Sequence, residues 1–137
     1  MPSTTSLAEF LFPAPAERTA GAIVRWWERR RIPFNLIVGG TGVFTLGVTT
    51  LIGMLPPGPP FGPPPLGIVL AYAVLANGCY LLGPALELLV QKIWGRTVLP
   101  VGPALYRMGL TFSVGLTLLP ILLFLIGWLG KTVSLFF

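Results

Sequence analysis

The chain has 137 residues, 54% of them hydrophobic and 9% charged, against about 25% charged in an ordinary soluble domain. That balance excludes a water-soluble fold and leaves one membrane-embedded domain. The net charge of +5 would suit nucleic acid, but the basic residues gather at the ends of apolar segments rather than on a face with interleaved aromatics, so no nucleic-acid partner is expected.

There is no histidine and a single cysteine, Cys79, which rules out an intrachain disulfide, the usual zinc and iron-sulfur cages, histidine-ligated haem and a histidine general base. No cofactor beyond bound lipid is expected. One carboxylate at a membrane edge and one thiol in apolar surroundings form no catalytic constellation, so the chain does not read as an enzyme.

In chain order, residues 1–16 offer a capping box from Ser6 to Glu9, then Phe10, Leu11 and Phe12 before Pro13 and Pro15 stop any helix. One or two turns fit, either as a frayed tail or as an apolar hook on lipid or a partner. The run is too short for a secretory signal. Residues 17–31 place Ala20, Ile23, Val24 and Trp27 at helical spacing, with Arg18, Arg25 and Arg29 opposite. This pattern predicts an amphipathic interfacial helix, making 1–33 a cytoplasmic arm ahead of a transmembrane domain over 34–137.

Three spans follow, near 34–55, 66–92 and 104–128, each long enough at 1.5 Å per residue to cross a hydrocarbon core of about 30 Å. The fold class is therefore all-α, a polytopic three-helix membrane protein. Pro33 is expected at the start of the first span, where a missing N–H costs little. Within that span Thr41, Thr45, Thr49 and Gly53 recur every fourth residue, a ladder on which another helix can pack closely. The second span repeats the device with Gly67, Ala71, Cys79, Gly83, Glu87 and Gln91. Asn77, near its middle, needs a bond to Thr45, to Thr49 or to a helix of another protein. The third span carries Thr111 with Gly115, Ser113 with Thr117, and Pro120, where a kink is expected. Between the first two spans, residues 56–65 form an uncharged, proline-rich connection suited to the non-cytoplasmic side.

Glu87 is the one acid inside a span. Its place five residues before Lys92 puts it near the cytoplasmic boundary, within expected reach of Arg31, Arg96 or Arg107, so a structural ion pair outweighs a proton-carrying role. Arg29, Arg30, Arg31, Glu87, Arg96 and Arg107 together form a candidate charge cluster that could also gather an anionic headgroup. Arg18, Arg25, Arg29, Arg30, Arg31, Lys92, Arg96 and Arg107 fall on one side of the spans and Lys131 alone on the other. The positive-inside rule then sets the N-terminus in the cytoplasm and the C-terminus outside.

The runs Trp27-Glu28-Arg29-Arg30-Arg31-Ile32-Pro33-Phe34-Asn35-Leu36, Ala76-Asn77-Gly78-Cys79-Tyr80-Leu81-Leu82-Gly83 and Phe112-Ser113-Val114-Gly115-Leu116-Thr117-Leu118-Leu119-Pro120 resemble a group of small, uncharacterised bacterial multi-span membrane proteins. Members of that group often carry Tyr where Phe34 stands. The resemblance covers most of the chain after residue 25 and implies a bacterial inner membrane and three spans, with no activity attached.

Three helices of this size enclose little interior, while small-residue faces on the spans offer more packing surface than one bundle uses. The leading expectation is a non-catalytic accessory subunit of a larger membrane complex, with other membrane subunits and anionic cytoplasmic-side lipids as partners. The alternatives are a homo-oligomeric transporter or channel with Glu87 and Asn77 on its path, and an anionic-lipid-binding protein. The absence of an internal repeat and the odd number of spans argue against the usual secondary-transporter folds.

Overall fold

A computed structural model describes residues 19–96 and 101–137. The expected tail segment with its capping box and apolar hook lies outside the described residues. The rest consists of three helices, α1 (Ala20–Met54), α2 (Leu66–Trp94) and α3 (Gly102–Val133), with no strand among the described residues. All three are long and apolar enough to cross a membrane.

The first helix departs from expectation at Pro33. The separation of a 17–31 interfacial helix from a span starting near 34 is not seen, because α1 starts at Ala20 and runs through Pro33 without a break. Thr19 is its N-cap, accepting the Ala22 N–H at 3.2 Å, which answers one of the donors every helix start leaves open. Pro33 removes one backbone bond, but Trp27 before it and Phe34 after it both pack on Tyr80, at ring-centroid distances of 5.5 and 4.7 Å. One aromatic partner on the two sides of the proline holds both halves of the helix in line. α2 and α3 likewise continue through Pro84 and Pro120.

The helix ends extend beyond the expected spans, since α2 reaches Trp94 and α3 runs from Gly102 to Val133. α2 stops where Gly95 adopts φ +83 and donates to the Gln91 carbonyl, a conformation that side chains other than glycine's rarely tolerate. Leu36, Val43, Leu66, Val74 and Phe112 stand about 70% exposed, as lipid-facing residues do where tails replace water.

The largely aromatic buried cluster lies toward one end of the bundle, where Ile23, Trp26, Trp27, Phe34, Val38, Tyr80 and Tyr106 come together. Halfway along, Thr45 donates to the Thr117 carbonyl at 2.9 Å. The Thr117 hydroxyl returns to the Ser113 carbonyl, and the Tyr72 hydroxyl meets it at 2.6 Å. This links all three helices through neutral groups in the apolar interior, where an unanswered hydroxyl would be costly.

At the far end the proline-rich connection folds over the helix tips. Pro59 packs on Gly53, Pro60 and Phe61 on Gly127, and Phe61 lies edge-on to Phe124 at 5.9 Å. Lys131 donates to the Pro59 carbonyl and the Trp128 indole to that of Leu55. A segment rich in proline has few N–H groups to leave unsatisfied, so it can close a bundle at the membrane surface without a ladder of its own.

Candidate functional site

The polar and charged residues singled out from the sequence sort into three places. The first is the aromatic end, where Glu87 is 1% exposed. Its Oε2 accepts the Trp27 indole N–H at 2.7 Å, and its carboxyl fills the space that a side chain on Gly102 would take. Four residues earlier, Gly83 leaves room for the Trp27 ring, which would collide with any Cβ there. The i, i+4 spacing puts Gly83 and Glu87 on one face of α2, so one residue makes the space for the tryptophan and the other takes its proton donor. The start of α3 then closes on the carboxyl from the third side, with Gly102 at the positive end of the helix dipole.

The ion pair expected between Glu87 and Arg31, Arg96 or Arg107 is not formed. Arg31 reaches Glu28 three residues back at 2.8 Å, on the outside of α1, while Trp27 and Gly102 shield Glu87. Glu87 Oε1 and Arg31 Nε are both buried and without a hydrogen-bond partner. The expected charge cluster therefore does not gather around its acid. Arg29 and Arg107 are exposed and Arg30 half-buried, with its guanidinium 3.9 Å above the Trp26 ring. Arg107 lines a shallow, open depression on α3 with Ala104, Met108, Thr111 and Phe112.

Aromatic stacking does most of the remaining work here. Trp26 meets Trp27 edge-on at 5.3 Å and Tyr106 at 6.4 Å, and Tyr80 donates its hydroxyl to the Trp27 carbonyl at 2.6 Å. Trp26, Tyr80 and Tyr106 were not singled out from the sequence. The missed signal was that Tyr80, Gly83 and Glu87, at i, i+3 and i+7, share a helix face with an acid.

The second place is the pair of asparagines. Asn77 bonds neither Thr45 nor Thr49 but Asn35, in a reciprocal pair with Asn77 Nδ2 donating at 2.9 Å and Asn35 Nδ2 at 3.1 Å, and Asn77 also donates to the Ala73 carbonyl. Thr45 was unavailable because it serves α3. Thr49 folds back on the Thr45 and Leu46 carbonyls of its own helix. The amide pair lies on an exposed flank of α1 and α2.

The third place is the set of small residues. Thr45 and Thr49 are buried and Gly53 touches Pro59 and Phe124, whereas Thr41 is half-buried and bonded to the Ile37 carbonyl. In α2, Gly83 faces inward and Cys79 is exposed. Gly39, Gly40, Gly47, Gly67, Gly78, Gly109 and Gly115 have open space where a Cβ would be. Among the described residues, no three of His, Cys, Asp or Glu come together as metal ligands would. No family model, curated protein or solved structure matches the chain.

Proposed function

We propose that this chain is a non-catalytic subunit of a larger bacterial inner-membrane complex, docked through the glycine-lined outer surfaces of its helices. The carrying observation is that many helical glycines face away from the bundle. A glycine inside a helix costs about 1 kcal/mol relative to alanine. Where it permits close approach within the bundle, as at Gly83, that cost is offset; at Gly39, Gly47, Gly67 and Gly78 nothing among the described residues offsets it. A helix of another subunit approaching those faces gains the packing that small residues allow. α2 fits this reading well, since Ala76, Tyr80 and Glu87 are its only buried residues. The exposed Asn35–Asn77 pair adds unspent hydrogen-bonding capacity to the same flank.

In this reading the first turns of α1 lie at the cytoplasmic interface, with the N-terminus inside and the C-terminus outside as the positive-inside rule directs. A homo-oligomeric channel draws less support. Glu87 is enclosed by Trp27 and Gly102, and the Thr45 and Thr117 hydroxyls are committed to carbonyls rather than to a water path. The test is extraction of the native protein in mild detergent, followed by sizing and identification of what travels with it. Co-elution of the chain with other membrane polypeptides in fixed ratio is expected. A free monomer that exchanges partners at random overturns the reading.

A further inference from the structure

Beyond the subunit reading, we infer that Arg30, seated on Trp26, is a binding site for the phosphate of an anionic phospholipid headgroup. The guanidinium is half-buried and fixed in place, with Cζ 3.9 Å above the Trp26 ring and Trp26 itself 8% exposed and braced by Trp27 and Tyr106. Its one hydrogen bond is a long 3.5 Å contact from Nη1 to the Trp26 carbonyl. An arginine carries five N–H donors in a planar fork that matches a phosphate, so most of this fork is unanswered. No described carboxylate serves it, because Glu28 is taken by Arg31 and Glu87 by Trp27. A half-buried guanidinium gains from a counter-ion, and among the described residues none supplies one.

Depth identifies the missing anion. The Trp128 indole on the Leu55 carbonyl and the nearby Lys131 mark one membrane surface. Arg30 lies 25 positions before Leu55 on a continuous helix, hence about 37 Å away at about 1.5 Å per residue. The hydrocarbon core occupies about 30 Å of that length, which leaves Arg30 in the opposite headgroup layer, where the available anions are lipid phosphates. Cation stacking on an indole leaves the edge of the guanidinium free, so Trp26 positions the fork without consuming it. Arg29 and Arg107, exposed near the same end of the bundle, raise the local concentration of anionic lipid, and Arg30 is where one headgroup is held.

The test compares the full chain with Arg30→Gln, Arg30→Lys and Arg25→Gln in nanodiscs of phosphatidylcholine doped with phosphatidylglycerol, counting retained lipids by native mass spectrometry after gentle release. The unmodified chain should retain phosphatidylglycerol over phosphatidylcholine by about fivefold. Arg30→Gln should lose that preference, Arg30→Lys should keep part of it, and Arg25→Gln should match the unmodified chain. Circular dichroism in the same nanodiscs establishes that each variant is folded. Equal retention by Arg30→Gln and the unmodified chain overturns the inference, as does an equal loss with Arg25→Gln, which would mark diffuse attraction. A separate arm adds inorganic phosphate to phosphatidylcholine nanodiscs. Melting raised by millimolar phosphate, without anionic lipid, would assign the site to a soluble anion instead.

Discussion

Glu87 and Trp27 show how one polar bond can fix the end of a bundle. Among the described residues the indole N–H is the only donor to the carboxyl, and Oε1 has no partner in the same enclosure. Replacing Trp27 with Phe would leave the carboxyl buried with no donor at all, a change expected to cost about 1–3 kcal/mol. Glu87→Gln keeps an acceptor for the indole and the same volume, so it should cost less than half as much. Thermal unfolding of both variants in one detergent checks the order, and a Glu87→Gln penalty as large as that of Trp27→Phe would mean that the negative charge itself is needed. That ranking follows from the absence of an ion pair, which sequence alone did not foresee. That Glu87 lies toward one end of α2 was legible from the five-residue spacing to Lys92. Which side of α2 faced the arginines was not, because a tryptophan can reach a buried carboxyl as readily as an arginine can.

The helices tell two kinds of glycine apart. Fourfold spacing in α2 was visible in the sequence, but it describes a row of small residues without saying what each row touches. Gly83 lies under the Trp27 ring, so Gly83→Ala forces the ring aside and should destabilise the isolated protein by about 1–3 kcal/mol. Gly39 faces open space, and Gly39→Ala should leave isolated stability unchanged or raise it by up to about 1 kcal/mol. The same Gly39 change should weaken attachment to a partner helix that packs there. Melting temperature and co-purification yield, measured on both variants, separate the two roles. If Gly39→Ala leaves co-purification of any membrane partner unchanged, that face of α1 is not a docking surface. Pro33 carries the same lesson for helix boundaries: local rules place proline at a helix start, and packing of Trp27 and Phe34 on one tyrosine overrode them.

At the scale of the whole molecule, three long apolar segments were legible because each needs only composition and length. Their mutual arrangement was not, since pairings such as Asn35 with Asn77 and Thr45 with Thr117 depend on how far each helix is rotated and shifted. Orientation rests on charge distribution, a physical bias exerted during insertion that the bundle itself does not record. It yields a direct prediction. In a Cys79→Ser background, Lys131→Cys should react with a membrane-impermeant maleimide added outside intact spheroplasts, and Arg29→Cys should react only after the membrane is opened. Both positions are exposed in the folded chain, so reactivity reports sidedness rather than burial. Labelling of Arg29→Cys from outside would invert the topology and move the Arg30 headgroup site to the outer leaflet. The stacking on Trp26 and the unanswered donors would remain, but the basic end would then face a surface without the cytoplasmic leaflet's negative potential, so fewer anionic headgroups would reach the site in the native membrane.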